Sequence, residues 1–442
     1  MLSHGFPGLG TTSKFDVVIV GTGPAGCSSA YLLARAGLRV LLLERGRSAG
    51  SKLLWGGKAY AQPIREVWPE LDKEAPIHRW VTRERFSFVW GDRILTVEYK
   101  LGRSVAFTSY LPELVSWMAR KAESAGALLV EDVRVDEIVV KDGRVVGVRS
   151  GDDVVRADVV IDAEGVNRML LEKLGLAKKL DVNSSVALGV KETLSLDSKL
   201  IEERFNLDKG EGLSWLVAGD ITRGLPGGGF IYTMRDSISI GLVIPIGPAA
   251  KAAEEGILKE HVSSLVESFR LHPYFNRLWR EADVIEYGGR MTIEGGLSMM
   301  PRRLYAPGLL VVGDAAGFLV NTGYTIRGVD TAVYGGKLAA ETVIEALSRG
   351  GFTEDNLKAY EDKVRRSYIY RELRNHSGIE DIVKDPFYFT KIPQVVVGAA
   401  GRLFEADYEE PTLIGSVVEA SRDAGISLVR AFFKLARVVR RL

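Results

Sequence analysis

A short apolar run that ends in a glycine-rich turn constrains this chain more than any other feature. Residues 15–20 read Phe-Asp-Val-Val-Ile-Val, and Gly21-Thr22-Gly23-Pro24-Ala25-Gly26 follows directly. A nearly continuous apolar run of this length predicts a buried parallel strand. Small and apolar residues over 25–36 predict a helix, and residues 39–44 predict the next strand. Strand, turn, helix and strand in this order make a βαβ unit.

The spacing of the glycines in this turn is typical of a dinucleotide-binding loop. Gly21 permits the tight turn, Gly23 lets the backbone approach a pyrophosphate, and Gly26 allows the helix to pack closely on the strand. The free N–H groups at the start of the helix then point at the phosphates. Glu44 ends the second strand, where its carboxylate can accept hydrogen bonds from a ribose. The turn therefore predicts a dinucleotide site.

Two later segments indicate which dinucleotide binds. Residues 312–317 read Val-Gly-Asp-Ala-Ala-Gly, which places the Asp314 carboxylate at a strand end before a small-residue helix, expected from about Arg327 to Leu347. Such a carboxylate suits the ribityl hydroxyls and pyrophosphate of an extended FAD, and simple NAD dehydrogenases have no such second element. The apolar strand that leads into Ala163-Glu164-Gly165 is a third feature of the same type. The expected cofactor is FAD.

Cysteine and charge usage exclude several classes of protein. Cys27 is the single cysteine in 442 residues, so no disulfide within the chain and no cysteine-ligated zinc or iron–sulfur site can form. The five histidines show no metal-ligand spacing, and no metal site is expected. A net charge of +1 gives no reason to expect nucleic acid. Cys27 falls in the first turn of the predicted helix, where a small packing residue is expected rather than a redox thiol. Scarce glutamine, at Gln62 and Gln394, favours a thermophilic source.

The two ends of the sequence bear on localisation. Residues 1–14 lack the basic and apolar regions of a secretory signal, and the sequence has no apolar run long enough to span a membrane, so a cytoplasmic protein is expected. Residues 426–442 contain no acidic residue and predict a basic amphipathic helix. Such a helix could lie on an anionic membrane, dock onto a partner subunit, or pack on its own domain. Its basic face comprises Arg430, Lys434, Arg437 and Arg441, and its apolar face comprises Leu428, Phe432, Leu435 and Val439.

Four further segments resemble those of FixC-type proteins. These belong to an FAD-dependent superfamily that also includes p-hydroxybenzoate hydroxylase, geranylgeranyl reductases and electron-transfer flavoprotein–quinone oxidoreductases. The similarity covers nearly the whole chain and keeps the order of all motifs, so the chain is identified as a member of the FixC (EtfC) group. The segments are residues 50–61 with a glycine pair, residues 227–243 with a glycine run, His272-Pro273 with Glu286-Tyr287, and residues 313–330.

The element pattern and the resemblance together predict an α/β fold with an α+β substrate part. A Rossmann-like FAD-binding domain of the p-hydroxybenzoate hydroxylase/glutathione reductase type would be discontinuous. An interleaved β-sheet domain would bind the quinone, and a helical C-terminal region would face partners and the membrane. The expected ranges are 15–50, 105–165 and 300–348 for the FAD-binding domain, 51–104 and 166–299 for the quinone domain, and 349–442 for the C-terminal region.

The resemblance implies how the flavin would be held. Gly56 and Gly57 would line its ring, and the backbone N–H groups of Gly323-Tyr324-Thr325 would contact its pyrimidine edge. Thr108-Ser109-Tyr110 stand where many members of the superfamily have a flavin-contacting arginine, so Lys52 or Arg103 would supply the positive charge. The expected FAD contacts are Gly21, Gly23, Pro24, Ala25, Gly26, Glu44, Arg45, Lys52, Gly56, Gly57, Val133, Ala163, Glu164, Gly165, Gly313, Asp314, Gly323, Tyr324 and Thr325.

The resemblance also implies a quinone site on the glycine run. Gly227, Gly228 and Gly229 would place backbone donors on a quinone carbonyl, and Phe230 and Tyr232 would frame an apolar slot. A glycine bulge with core aromatic residues is the structural alternative. No catalytic side chain is expected, because electron transfer through FAD needs no nucleophile or general base on the protein.

The function implied by the resemblance is electron transfer from electron-transfer flavoprotein subunits (FixA/FixB or EtfA/EtfB) to menaquinone or ubiquinone. This would be the high-potential branch of an electron-bifurcating FixABCX complex that oxidises NADH and reduces ferredoxin at the inner face of the cell membrane. The missing cysteines fit an arrangement in which the iron–sulfur cluster sits on a separate ferredoxin-like subunit (FixX/EtfX). Two alternatives stay open. One is a geranylgeranyl reductase that saturates isoprenoid double bonds, although Ser51-Lys52 stand where that family usually has a cysteine; the other is a non-catalytic FAD-binding subunit.

Overall fold

The computed structural model describes residues 14–294, 296–408 and 411–439. Residues 1–13 of the segment considered for a secretory signal, and Arg441, lie outside these ranges, as do the side chains of Arg437 and Val439. The first of two large sheets contains β1 (Lys14–Val20), β2 (Val40–Leu43), β7 (Leu128–Val130), β8 (Glu137–Lys141), β9 (Arg144–Ser150), β10 (Asp153–Asp162), β16 (Tyr305–Ala306) and β17 (Leu309–Val311).

Five parallel strands form the centre of the first sheet, in the spatial order β17, β10, β1, β2 and β7. The predicted βαβ unit is confirmed, because β1 leads through helix α1 (Pro24–Arg35) to β2. Gly37 follows the end of that helix in the left-handed conformation, with φ at +84°, where a residue with a side chain would be strained. Val17, Val18 and Ile19 of β1 are fully buried, as expected of a strand covered on both faces.

Helix α11 (Val329–Ser348) packs directly on α1. A Cβ atom on Gly336 would lie 2.3 Å from the Ala25 carbonyl oxygen, so only glycine allows this approach. The hydroxyls of Ser28 and Ser29 donate across the interface to the carbonyls of Val333 and Gly336, each at 3.0 Å. The turns that begin α1 and precede α11 therefore meet at the carboxyl edge of the first sheet.

The second sheet has nine strands and faces that edge. Its spatial order is β15, β11, β14, β13, β12, β4, β6 and β3, and β5 pairs with β4. β6 lies within the stretch 105–165 assigned to the cofactor-binding half, yet it belongs to this second sheet. The strands are β3 (Gly56–Tyr60), β4 (Arg79–Trp90), β5 (Arg93–Lys100), β6 (Ala106–Tyr110), β11 (Val186–Ser195), β12 (Glu211–Gly219), β13 (Gly228–Thr233), β14 (Ser237–Pro245) and β15 (Asp283–Ile293).

The segment that leads into β8 lies outside that strand. Alternation over residues 133–141 favours a strand throughout, but β8 begins only at Glu137. The backbone N–H of Val133 donates instead to the Glu44 carbonyl at 2.8 Å, and Asp132 takes a left-handed conformation with φ at +57°. This segment is therefore tied to the loop after β2.

Helices cover both sheets and form the C-terminal region. Leu265, Val266 and Phe269 of one helix, α9, are fully buried under the second sheet. None of the helices in the described ranges is both long and apolar enough to cross a membrane. A short β-ribbon, β18 (Val320–Asn321) with β19 (Ile326–Arg327), precedes α11. The remaining helices are α2 (Ala61–Arg65), α3 (Leu71–Glu74), α4 (Leu111–Ser124), α5 (Met169–Lys173), α6 (Val182–Ser185), α7 (Ser198–Phe205), α8 (Ile246–Glu254), α9 (Val262–Leu271), α10 (Pro273–Asn276), α12 (Glu354–Arg366), α13 (Tyr368–Asn375), α14 (Ile379–Ile382), α15 (Ile392–Phe404), α16 (Leu413–Asp423) and α17 (Leu428–Val439).

Candidate cofactor and substrate site

One cavity of about 1270 Å³ lies between the two sheets. It runs from the glycine turn after β1, across the inner face of the second sheet, to the C-terminal helices. Small-molecule sites usually occupy about 300–1,000 Å³. The cavity is therefore large enough for a dinucleotide together with a second ligand.

The glycine turn forms one end of this cavity. A Cβ atom on Gly23 would have no protein atom within 4 Å, so this residue leaves open space in front of the start of α1. That helix start has no side-chain cap, and its first N–H groups face the open space. A Cβ on Gly26 would lie only 1.9 Å from the Gly21 carbonyl oxygen, so Gly26 closes the helix onto the turn instead of lining the cavity. These features fit the pyrophosphate of FAD.

The Glu44 carboxylate organises the neighbouring loop. It accepts hydrogen bonds from the Thr22 hydroxyl and, at 2.6 Å, from the Gly46 backbone N–H. The Thr22 backbone N–H also donates to Oε2 at 3.3 Å, so Oε1, which accepts from Gly46, is the oxygen that retains a lone pair for a further donor. Glu44 therefore fixes the glycine turn as well as lining the site.

The Asp314 carboxyl lies opposite the glycine turn. It belongs to the turn that starts at Gly313, where φ is +63°. Burial raises the pKa of Asp314 to about 6, although the nearby Arg168 guanidinium opposes the shift. A carboxylate in this environment gains from donors that a ligand brings, such as ribityl hydroxyls. The Arg168 side chain also donates to the Asp314 backbone carbonyl at 3.0 Å and so holds the turn.

Two acidic residues at the end of β10 have structural partners. Asp162 is fully buried and accepts from the Glu164 N–H at 3.1 Å. Burial, reinforced by Glu164, raises the pKa of Asp162 well above its usual range. The Glu164 carboxylate accepts from the backbone N–H groups of Leu170 and Leu171, at 2.9 and 3.1 Å, and so caps α5.

The two segments predicted to contact the flavin ring both reach the cavity. Gly56 lines the cavity. Gly57 packs instead against Trp55, because a Cβ atom on Gly57 would lie 2.8 Å from the Trp55 ring. Gly323, Tyr324 and Thr325 line the cavity as well. Two of the backbone N–H groups predicted to contact the flavin already donate to side chains of the same β-ribbon segment. The Gly323 N–H bonds to Asn321 at 2.8 Å and the Thr325 N–H to Thr322 at 3.2 Å.

The glycine run forms part of the cavity floor. β13 is paired on both sides over Gly229 to Tyr232, so among the three predicted donors the ladder encloses only Gly229 on both sides, and Gly228 pairs with β14 alone. A side chain at Gly229 would point away from the cavity, toward Ile221 and Phe269. Gly227 requires glycine because φ is +119° and a Cβ would lie 2.1 Å from the Val243 carbonyl. The run therefore gives the cavity a surface without side chains, and contact of its backbone with a quinone stays a prediction.

Most of the predicted residues line the one cavity. Gly26 and Gly57 do not, and Arg103 is exposed elsewhere, so Lys52 is the cation of that pair that reaches the site. The predicted residues that line the cavity are Gly21, Gly23, Pro24, Ala25, Glu44, Arg45, Lys52, Gly56, Val133, Ala163, Glu164, Gly165, Gly227, Gly228, Gly229, Phe230, Tyr232, Gly313, Asp314, Gly323, Tyr324 and Thr325.

Comparison with known proteins gives the family. A model of the FAD dependent oxidoreductase family matches residues 16–94 and 66–342. The chain is 39% identical over 399 residues to the probable electron transfer flavoprotein-quinone oxidoreductase YdiS of Escherichia coli (strain K12), covering 89% of this chain and 91% of YdiS. It is 38% identical over 402 residues to Protein FixC of Salmonella typhi, covering 90% of this chain and 92% of that protein. The chain belongs to the FixC family of FAD-dependent oxidoreductases.

Solved structures share the fold of this FixC-family chain at low sequence identity. A geranylgeranyl bacteriochlorophyll reductase-like protein from Thermoplasma acidophilum superposes with a TM-score of 0.69 at 18% identity, over 96% of this chain and 99% of that one. The flavin-dependent brominase Bmp2 gives a TM-score of 0.60 at 18% identity, over 79% and 83% of the two chains. The predicted α/β fold with an FAD-binding part is confirmed.

Sequence reasoning missed several residues that line the cavity of this FixC-family chain. Two of them, Lys191 and Arg290, bring positive charge to the inner face of the second sheet. Alternation along β11 and β15 could have placed these cations on one face, but their strand register is not readable from one sequence. Other missed residues form the apolar walls: Phe86, Phe88, Leu188, Leu216, Val243, Ile379, Tyr388, Phe389, Ile392 and Leu435.

Proposed function

We propose that this chain carries electrons through FAD from electron-transfer flavoprotein subunits to a membrane quinone. The names of the relatives support the reaction class. The observation that carries the proposal is the continuity of the cavity, which joins the glycine turn to apolar walls reaching the C-terminal helices. One end fits a polar dinucleotide and the other fits an apolar ligand with a tail.

The residues at the polar end would bind and orient the cofactor. FAD, when bound, supplies the redox centre. The start of α1 would hold its pyrophosphate beside Gly23, and the Asp314 carboxylate would accept from its hydroxyls. Arg168 and Glu44 would keep these groups in place through the hydrogen bonds described above.

The residues at the apolar end would accept the quinone. Phe230 and Tyr232 of β13 stack with ring centroids 5.5 Å apart, and Phe86 and Phe88 of β4, beyond β12, also line the cavity. Apolar walls of this kind exclude water and suit an aromatic ring with an isoprenoid tail. The wall ends among Ile379, Tyr388, Phe389, Ile392 and Leu435, where the tail would leave the protein.

The C-terminal helices would lie on the membrane surface. Phe432 and Phe433 of α17 expose 68% and 67% of their area, and Leu413 and Ile414 of α16 are also exposed. Exposed apolar side chains on amphipathic helices are typical of interfacial binding. Lys434 belongs to the predicted basic face, and it pairs with Asp385 and lies over the Phe387 ring at 4.5 Å. The apolar side chains, rather than Lys434, would therefore make the lipid contact.

The wider assembly is also part of the proposal. The chain would form the high-potential branch of a FixABCX-type bifurcating complex at the inner face of the cell membrane, with menaquinone or ubiquinone as acceptor. Cys27, the single cysteine, is fully buried in α1, so a partner such as a ferredoxin-like subunit would carry any iron–sulfur cluster. Burial also raises the pKa of the Cys27 thiol, as expected of a packing residue.

Purification of the native protein with its partners tests this function. We expect two flavoprotein subunits and a small ferredoxin to co-elute, and the FAD-loaded chain to pass electrons from them to a naphthoquinone or benzoquinone. A lone chain that reduces geranylgeranyl lipids and leaves quinones unreduced would overturn the proposal.

A further inference from the structure

A buried lysine lies on the inner face of the second sheet, beside the proposed quinone wall. Phe230 of β13 pairs with Gly241 of β14, and Gly241 pairs with Lys191 of β11. Residues directly opposite each other in antiparallel strands point to the same face. Phe230 and Lys191 both line the cavity.

Two glycines beside Lys191 make room for neighbouring apolar side chains. A Cβ on Gly241 would lie 2.5 Å from the Phe230 ring, so that ring occupies the space over Gly241 next to Lys191. On the other side Lys191 pairs with Gly288 of β15, whose side position is filled by Leu54. Lys191 is therefore a polar side chain between two apolar ones, the Phe230 ring over Gly241 and Leu54 over Gly288.

The ammonium group of Lys191 is held by two partners and keeps one free proton. Its Nζ donates to the Glu286 carboxylate at 2.6 Å and to the Thr193 hydroxyl at 2.9 Å. Its third N–H has no hydrogen-bond acceptor among the residues that the structure describes, and the Tyr110 ring lies 4.9 Å from Nζ. The lysine side chain is 4% exposed, whereas that of Glu286 is 43% exposed on the edge strand. The pair thus connects the closed cavity to solvent.

We propose that Lys191 donates a proton to the quinone during its reduction and that Glu286 restores this proton from solvent. This inference rests on the proposed function. Reduction of a quinone to a quinol places two electrons and two protons on it, and the electrons are those supplied through FAD. For one proton, an Nζ–H bond of Lys191 breaks and an O–H bond forms on the quinone. The neutral amine then takes a proton through Glu286, which takes one from water, and the second quinone oxygen takes its proton from water.

Electrostatics favour Lys191 over the tyrosines and the arginine near the wall. Burial lowers the pKa of Lys191, because desolvation outweighs the attraction of Glu286, and this makes the ammonium a better acid. Tyr232 is a poor donor, since burial raises its pKa to about 12. Arg290 also lines the cavity, but a guanidinium does not give up its proton in proteins. The Tyr110 hydroxyl, which bonds to Ser237 at 2.8 Å, has its pKa raised to about 12 by burial as well.

The molecule contains a matched control for Lys191. Lys58 is a second buried lysine, 5% exposed, with a 2.6 Å ion pair to Glu84. It does not belong to the lining of the cavity. Burial alone would lower the pKa of Lys58, but Glu84 and nearby tyrosines raise it. Lys58→Met therefore removes a comparable buried charge that does not line the cavity, on a lysine that interacts electrostatically with Tyr232 from outside it.

The test uses the FAD-loaded chain, reduced without oxygen and mixed with menadione, a water-soluble naphthoquinone, across a range of pH. We expect Lys191→Met to slow quinol formation by about 100-fold and Lys58→Met to leave that rate unchanged. Calorimetric binding of menadione to the oxidised protein is the second readout. Lys191→Arg keeps the charge, so binding should stay within about threefold of wild type while quinol formation stays as slow as in Lys191→Met.

The outcomes separate this inference from the proposed function. A wild-type protein that leaves menadione unreduced refutes the function itself. An active wild type with Lys191→Met or Lys191→Arg equally fast at every pH refutes the proton donor alone. If Lys191→Met does not fold, Lys191→Arg and Glu286→Gln decide the matter. We expect about tenfold slower quinol formation in Glu286→Gln, and wild-type rates in both variants would overturn the relay.

Discussion

A single methyl group added to either of two glycines in the turn after β1 should affect the protein in different ways. At Gly26 the new Cβ would lie 1.9 Å from the Gly21 carbonyl oxygen, and ordinary contact begins at 3.4 Å. Helix α1 would have to retreat by about 1.5 Å, although α11 holds it on its other side. Overpacking of this kind costs about 1–3 kcal/mol. We expect Gly26→Ala to lose that much stability even without FAD.

At Gly23 the same substitution meets no protein atom. Its φ of −59° and ψ of 173° are open to alanine, so the stability of the cofactor-free protein should change by less than about 1 kcal/mol. The methyl group would project into the space where the pyrophosphate is proposed to lie. FAD affinity should therefore fall by about 100-fold, or about 2.7 kcal/mol.

Thermal unfolding of the flavin-free proteins and FAD titration measure the two effects separately. A loss of 1 kcal/mol lowers the melting temperature by about 1 °C in a chain of this size. We expect Gly26→Ala to melt about 1–3 °C below wild type and Gly23→Ala to melt within about 1 °C of it. Wild-type melting of Gly26→Ala would refute the inferred closure of helix on turn. Wild-type FAD affinity in Gly23→Ala would refute the placement of the pyrophosphate.

Three further predictions concern the acid, the floor and the C-terminal helix. Ionised Asp314 destabilises the cofactor-free protein as pH rises from about 4 through its raised pKa of about 6. At pH 7.5 Asp314→Asn should therefore melt higher than wild type, with a free energy of unfolding larger by at most about 3 kcal/mol. At pH 3.5 the two proteins should melt equally. The same variant should bind less FAD, and an equal melting difference at both pH values would contradict the reasoning. In Gly228→Val the new Cβ would lie 2.8 Å from the Val217 carbonyl oxygen, and its methyl groups would lie on the cavity floor. Quinone reduction should therefore fall by about 100-fold while the flavin content stays normal. Normal turnover would rule out a quinone at this position. Truncation after Gly425, or Phe432→Ser with Phe433→Ser, should abolish binding to anionic vesicles in a sedimentation assay, and unchanged binding would reject the membrane role.

Local patterns predicted the cofactor end of the molecule well. The apolar run of β1, the glycine spacing and Glu44 lie within one βαβ unit, where neighbours in sequence are neighbours in space. The side positions of Gly23 and Gly26 differ in the structure as the spacing implied, one open and one closed. The fold class followed from the same local rules, since a buried apolar strand before a glycine turn favours a parallel sheet.

Long-range pairing set the limit of prediction. Lys191 and Glu286 are 95 positions apart and meet only because β11 and β15 share a register. Helical spacing predicted that Lys434 lies on a basic face but did not identify its partner Asp385, which is 49 residues away in sequence. The N–H groups predicted to contact the flavin at Gly323 and Thr325 are bonded to side chains that spacing alone did not identify.

The order of strands in the first sheet has a consequence for synthesis of the protein. β1 and β10 are complete within the first 162 residues, but β17, the outer neighbour of β10, appears only at Leu309, and α11 covers α1 only after that. The emerging chain must keep an apolar β10 edge and the small-residue face of α1 uncovered while the whole second sheet is made. Non-local parallel pairing of this kind is slow and exposes surfaces that aggregate. Nascent chains of this protein should therefore depend on chaperones until the last third has left the ribosome.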